Sequence, residues 1–288
     1  MTLSQLQVFI TVAEEKNFTR AAEVLGFTQS AVSQMIKSLE SELGISLFYR
    51  SRSGITLTGI GERMLCHARE ILSITACMKQ EADAALGRET GTLRIGSIHS
   101  VSNKILPALI GSFRKRFPQV QIVLFEGEYA EVNQWLSQSV VDVGFTTNPE
   151  RSLHAFPLIQ DRMLVFVPED HSLKDEPSLS FEQIKDRCFI MPKDGCVKSL
   201  LHTNDILPNI TFEVRDVSTI LSMVQEWVGV TILPELYIPE ALPKVKSIPL
   251  RPTISREVVL AVRDPQSFSP LIAEFILHAQ HFVKEMNR

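Results

Sequence analysis

Apolar residues recur at intervals of three and four over residues 3–15, where Leu3, Leu6, Phe9, Ile10 and Ala13 mark one face of a helix. Two shorter periodic runs follow. Ala21, Ala22 and Leu25 share a face, and Gly26 then offers the positive φ that a helix end favours. Thr28 is placed to cap another helix, striped by Val32, Met35, Ile36 and Leu39. Ala22 is small where two helices crossing steeply over a short turn need a small contact. Alanine, glycine four on and valine six further is the spacing of a helix-turn-helix. After Leu43-Gly44 and Leu47-Phe48, the segment Tyr49 to Leu57 reads as extended, with a turn at Gly54, and predicts a β-wing. Thr58 caps a long helix reaching about Leu86. Its apolar positions Leu57, Gly61, Met64, Ala68, Ile71, Thr75, Met78, Ala82 and Ala85 alternate gaps of four and three. That narrow seam, sustained over about four heptads, predicts pairing with a second copy of the chain. Gly87 to Gly91 is a polar break.

From Thr92 the pattern changes to strands alternating with helices, the signature of a parallel α/β sheet. Strands are expected at 93–96, 120–125, 141–145, 163–168, 188–191, 210–214, 230–233 and 258–262. Helices are expected at 100–116, stopped by Pro118, and at 129–138, 181–185, 196–204, 217–227 and 270–285. Two similar lobes follow, with crossings near Asp161 and Asp264, although no sequence repeat is visible. The expected organisation is an α-helical winged helix-turn-helix over 1–58, a linker and dimerisation helix over 59–90, and a two-lobed α/β unit over 91–288. Lobe I takes 91–161 and 265–288, and lobe II takes 162–264.

With 44% apolar and 22% charged residues, the 288-residue chain belongs with folded globular proteins. Its formal net charge of −4 argues at first against a nucleic-acid partner. Residues 1–58 are neutral: Lys16, Arg20, Lys37, Arg50 and Arg52 balance Glu14, Glu15, Glu23, Glu40 and Glu42. DNA affinity must then come from where the positive charges sit and from having two copies of the domain. The first residues lack a basic n-region and a long apolar core, and there is no run of 18 apolar residues, so neither a signal peptide nor a membrane span is expected. Cys66, Cys77, Cys188 and Cys196 have no metal-ligand spacing and suit a reducing cytoplasm. No metal or cofactor is expected. A phosphate loop, a Gly-x-Ser-x-Gly elbow and a His-Glu-x-x-His helix are absent, which leaves catalysis without support.

The second helix of the helix-turn-helix turns Gln29, Ser30, Ser33, Gln34 and Lys37 away from its apolar stripe. These donors and acceptors suit base edges and phosphates; Gln34 matches adenine, and Lys37 a phosphate or guanine. Arg20 and Thr28 join this DNA-facing set, and Arg50 and Arg52 on the wing are placed for phosphates or the minor groove. The competing reading is an ordinary helical hairpin and a charged loop.

The motifs Leu-Ser-Gln-Leu-Gln-Val-Phe at 3–9, Phe18-Thr19-Arg20-Ala21-Ala22 and Thr28-Gln29-Ser30-Ala31-Val32-Ser33 stand in order. Leu39-Glu40, Leu43-Gly44, Leu47-Phe48-Tyr49-Arg50 and Leu57-Thr58 follow, then Leu93-Arg94-Ile95-Gly96, Phe117-Pro118, Asp142-Val143-Gly144 and Gly229-Val230. In these the chain resembles the LysR-type transcriptional regulators over its whole length. The resemblance implies a winged helix-turn-helix, a dimerising linker helix and a two-lobed effector domain like a periplasmic binding protein. It also implies a homotetramer that engages double-stranded DNA and RNA polymerase and switches transcription when a small molecule binds between the lobes. One departure stands in the wing: the family often carries a second arginine three residues after the first, where this chain has Ser53, with Arg52 beside it.

Open α/β sheets bind ligands in crevices at strand C-termini. The loop Ser97-Ile98-His99-Ser100-Val101-Ser102 follows a strand and opens a helix, which suits an anion, or else is simple capping by Ser100 or Ser102. Thr146 and Thr147 approach the same crevice, as does Glu128, whose charge opposes an anion; Lys193 and Ser218 face it from the other lobe. The expected effector is a small, polar, anionic metabolite. A redox-sensing variant of the same fold is one rival; a solute-binding protein or an enzyme built on the two lobes is the other. Cys196 sits where peroxide-sensing members carry a reactive thiol, but no resolving cysteine follows it, and Cys188 is expected to be buried in a strand.

Overall fold

The structure, a computed structural model, describes residues 1–51, 54–86, 88–193, 195–238, 244–264 and 269–286. Arg52, Ser53, Gly87 and Asp194 lie outside the described residues.

Three helices, α1 (Leu3–Glu15), α2 (Phe18–Leu25) and α3 (Gln29–Leu43), form the first core. Each starts on a residue that can satisfy orphan amide N–H groups. Thr2 and Gln5 make a capping box, Asn17 accepts from Thr19 and Arg20, and Thr28 accepts from Ala31. The turn between α2 and α3 closes on Gly26 at φ 68°, with Phe27 N–H donating to the Ala22 carbonyl at 2.9 Å. Ala21 and Ala22 are buried at the crossing, beside Val32, Ile36 and Leu39.

The wing is a hairpin, β1 (Phe48–Ser51) paired with β2 (Gly54–Leu57). Glu40 on α3 accepts from Leu47 N–H at 2.8 Å and so fixes where the wing begins. Phe48 seals the base, edge-on to Phe9 and Phe18. The long helix α4 (Gly59–Ala85) follows at once. Thr58 donates to the Ser46 carbonyl and accepts from Gly61 N–H, bolting the wing's end to α4. A Cβ at Gly61 would lie 2.2 Å from the Leu47 carbonyl oxygen, so only glycine permits this approach. Leu65 and Ala68 complete the first core; farther along, Ile74, Met78 and Leu86 are exposed.

The remaining chain builds β3 (Gly91–Ile98), α5 (His99–Lys104), α6 (Leu106–Arg116), β4 (Val120–Gly127), α7 (Tyr129–Ser137), β5 (Val143–Thr146) and β6 (His154–Pro168). It continues with β7 (Leu179–Ser180), β8 (Phe189–Pro192), α8 (Val197–Thr203), β9 (Ile210–Val214), α9 (Val217–Gln225) and β10 (Thr231–Pro234). It ends with β11 (Val245–Arg251), β12 (Ser255–Val262) and α10 (Pro270–Met286). One helix expected over 100–116 is two, because Pro107 lacks the N–H needed to continue α5. The helix expected at 181–185 is a single 3₁₀ turn, Phe181–Gln183.

The eight-stranded sheet runs β4-β3-β5-β12-β6-β11-β7, with β10 also on β6. β6 spans both lobes. Its first half pairs with β12 and its second half with β10 and β11. Val258 to Val262 lie in the core of lobe I, against β5, while Ile254 lies in the core of lobe II. The return crossing therefore falls between Ile254 and Val258, not near Asp264, and β12 belongs to lobe I. Asp161 and Arg256 stand opposite each other at the crossing.

Candidate functional site

The chain presents two candidate sites. On the first domain, Arg20, Thr28, Gln29, Ser30, Gln34 and Lys37 are exposed and Ser33 is half-buried, so α3 shows a polar face while its stripe fills the core. Gly26 and Thr28 set this orientation by fixing where α2 ends and α3 begins. Arg50 reaches back from the wing, its guanidinium 4.8 Å above the Phe18 ring and 3.9 Å from Glu40. That arrangement preorganises one wing cation beside α3; Arg52, its neighbour in the sequence, is outside the described residues.

The second site is an open cleft between the lobes, with a volume of about 1220 Å³. At its floor lies Arg256, 4% exposed. Its guanidinium pairs with Asp161 at 2.7 and 2.8 Å and donates to Ser100 Oγ at 2.8 Å, to the Tyr129 hydroxyl, and to Cys196 Sγ at 3.7 Å. Each nitrogen of the guanidinium is thus engaged, by partners drawn from α5, α7, β6 and the start of α8. Asp161 also accepts from Leu236 N–H at 3.0 Å. Burial pushes the Asp161 carboxyl above its ordinary range, against the pull of Arg256. The Tyr129 and Tyr237 rings flank the guanidinium at 5.9 and 5.8 Å. Burial drives the Tyr237 phenol up to about 12 and the Tyr129 phenol upward too, so both remain protonated donors.

The walls carry mixed charge. Glu126, Glu128, Glu131 and Asp216 line the cleft together with Lys104 and Arg215. His99 bridges Glu126 and, at 3.9 Å, Glu128. Asp216 is committed to capping α9, accepting from Thr219 N–H and from the Ser218 and Thr219 hydroxyls, which hold its carboxyl below the ordinary range.

Of the residues singled out in the sequence, His99, Glu128 and Ser218 line the cleft, and Ser100 meets it through Arg256. Ser97 is sealed in the sheet, donating to the Ile98 carbonyl, and Val101 is core. The Ser102 hydroxyl points into protein without a partner, Thr146 donates to the Thr147 carbonyl, and Lys193 is exposed outside the lining. β5 is buried at all four positions and β3 at its last four, so Ser97 and Thr146 lie where the sheet is covered on both faces. α5 is only six residues long and starts at Ile98 without a side-chain cap. Cys188 is exposed, because it precedes β8 and does not lie within it. The hub residues Asp161, Arg256, Tyr129 and Tyr237 were not singled out as site residues. The available signal was an arginine at the start of an apolar strand and an aspartate at the lobe crossing, two charges that burial requires to pair.

Comparison with known proteins places both domains in one family. Residues 3–62 match the family described as bacterial regulatory helix-turn-helix protein, lysR family, and residues 86–283 match the LysR substrate binding domain. The chain is 33% identical to the uncharacterized HTH-type transcriptional regulator YvbU of Bacillus subtilis, covering 99% of this chain and 97% of that protein. It is 30% identical to the HTH-type transcriptional regulator AlsR of the same organism, over 81% of this chain and 80% of AlsR. Among solved structures, full-length OxyR from Pseudomonas aeruginosa superposes with a TM-score of 0.82 at 26% identity, covering 99% of this chain and 95% of that one. The chain belongs to the LysR family of DNA-binding transcriptional regulators.

Proposed function

We propose that this regulator reads DNA as a homodimer paired through residues 59–86, assembled further into a homotetramer, and that a small polar molecule held between the lobes governs its contact with RNA polymerase. The observation that carries the DNA-reading part is the exposed polar face of α3, braced by Arg50; beyond the wing, the far half of α4 leaves Ile74 and Met78 uncovered, as is Leu86 at its C-cap. An apolar seam on a helix of 27 residues fits a second copy of itself. Mapping bound DNA across the genome in cells tests the reading. Discrete sites with two half-sites spaced by about a helical turn or its multiples are expected. Uniform occupancy would overturn it.

The cleft supports a refinement of the effector's chemistry. A plain anion has little to gain from Arg256, whose charge Asp161 neutralises and whose three nitrogens are each engaged, and it faces Glu126, Glu128 and Glu131 on the walls. A molecule carrying both an amine and a carboxylate complements better a lining that holds Lys104 and Arg215 as well as the glutamates. Calorimetry with amino acids, simple dicarboxylates and monoamines distinguishes these; tightest binding by the dicarboxylates would favour the plain anion instead.

A redox reading has one observation in its favour: the half-buried Cys196 thiol lies in the cleft, 3.7 Å from the Arg256 guanidinium. A neighbour at 25% identity and a TM-score of 0.63 is an OxyR of Corynebacterium glutamicum described as hydrogen-peroxide-bound. Intact-mass spectrometry after mild peroxide treatment tests it; a Cys196 that stays unmodified while the protein still responds to a metabolite removes it.

A further inference from the structure

The two ends of β12 meet different parts of the molecule. Arg256, near its start, is the floor of the cleft. Arg263, immediately past its end, forms an ion pair with Glu70 on the linker helix α4. Seven residues of extended chain separate them, roughly 23 Å. Between them Val258 to Val262 are all nearly or fully buried, with β5 on one side and β6 on the other. A strand so enclosed does not stretch or slip, and it moves with the sheet around it.

The receiving end is equally rigid. Ala68, two residues before Glu70, belongs to the core of the DNA-reading domain, and Arg69 pairs with Glu14 of α1 at 3.0 Å. The turn of α4 that Arg263 holds is therefore part of the reading head's own packing. Around the ion pair the fit is loose. A cavity of about 50 Å³ separates Glu70, Ser73 and Ile74 from Val141, Val262 and Ile272 of lobe I. The Glu70 carboxyl is held below its ordinary value chiefly by its hydrogen bond to Arg263.

We propose that Glu70 and Arg263 are positioning residues that form the fixed joint through which the cleft's state reaches the DNA-reading head, with β12 as the connecting member. The proposal rests on the reading that the cleft governs DNA binding. When the lobes change angle, the bend falls at the Asp161–Arg256 crossing, because Ile254 is anchored in one core and Val258 in the other. Lobe I then turns against α4, and the joint carries that turn to the helix. Coupling between two sites is reciprocal, so loosening the joint must also be felt in the cleft.

Cys196, at the cleft hub, supplies the readout. Full-length protein is alkylated with iodoacetamide, and the rate at each cysteine is followed by mass spectrometry. Glu70→Gln and Arg263→Gln are each expected to raise the Cys196 rate threefold or more, although neither residue lines the cleft. Arg263→Lys and the exchange Glu70→Arg with Arg263→Glu, which keep opposite charges facing, are expected to return it to within threefold of the parent. Glu274→Gln removes a different surface pair, Arg116–Glu274, and is expected to leave the rate unchanged. A rise of less than threefold in the two single variants overturns the proposal. So does failure of the exchange to restore the rate, or an equal rise at Cys77 that signals general loosening. None of these outcomes alters where the protein binds the genome, so loss of the joint and loss of the functional reading are told apart.

Discussion

Gly61 and Asp161 show how much one position can decide. At Gly61 the first turn of α4 passes so close to the Leu47 carbonyl that a methyl group has no room. Gly61→Ala is expected to destabilise the DNA-reading domain by about 1–3 kcal/mol, through forced movement of a packed backbone. Thermal unfolding followed by circular dichroism measures it, and an unchanged midpoint would show that the wing can shift freely. At Asp161 the carboxylate neutralises a buried guanidinium. Asp161→Asn leaves Arg256 uncompensated among Tyr129, Tyr237 and Cys196, and is expected to cost about 3–5 kcal/mol, read as a lowered denaturant midpoint. Gly61 was visible in the sequence only as a member of an apolar seam; its real constraint is a carbonyl 14 residues earlier, which no local pattern reports.

Elements with strong periodicity and clear caps were legible from the chain. α1 through α4 start where Thr2, Asn17, Thr28 and Thr58 accept N–H groups, and α2 and α3 stop where Gly26 and Gly44 take positive φ. Besides the two-residue β7, the extended segments that the apolar pattern does not reveal contain proline. β6 begins at His154, nine residues earlier than its apolar run suggests; Pro157 lies there, and the pairing with β12 slips by one residue around Leu158. β11 contains Pro249 and alternates with lysine and arginine. At this scale two predictions follow from exposed faces. Gln34→Ala on α3 is expected to weaken binding to a mapped site about tenfold while leaving dimerisation intact, as measured by fluorescence anisotropy and sedimentation. Met78→Glu on the uncovered stretch of α4 is expected to shift the protein toward monomer at micromolar concentration, because it places a charge in an apolar seam.

For the molecule as a whole, pH acts through two histidines partly or wholly withdrawn from water. His278 on α10 bonds to Ser112 Oγ at 2.8 Å, and His171 packs against Trp227; burial lowers both pKa values from 6.5. The folded chain thus binds these protons more weakly than the unfolded chain. Their contribution to stability is complete above pH 6.5 and is lost as pH falls through that value. Thermal unfolding between about pH 7.5 and 5.5 is expected to show a steeper fall for the parent than for a His278→Gln variant. Equal slopes would mean that His278 is not shifted. The same ring contacts tie α10 to α6 within lobe I, so the loss begins in the effector domain.

The sequence by itself determined the parts whose physics is local: helix caps, the small residue at the helix crossing, the polar face of α3 and the alternation that builds an α/β sheet. It also carried enough ordered motif to place the chain in its family. The tertiary structure alone decided which charges meet. Asp161 and Arg256 are 95 residues apart, and Glu70 and Arg263 farther still, and each pair forms because a strand brings its ends to places that the sequence order does not reveal. Burial then fixes their roles, since a charge withdrawn from water must find its partner wherever the fold has put it.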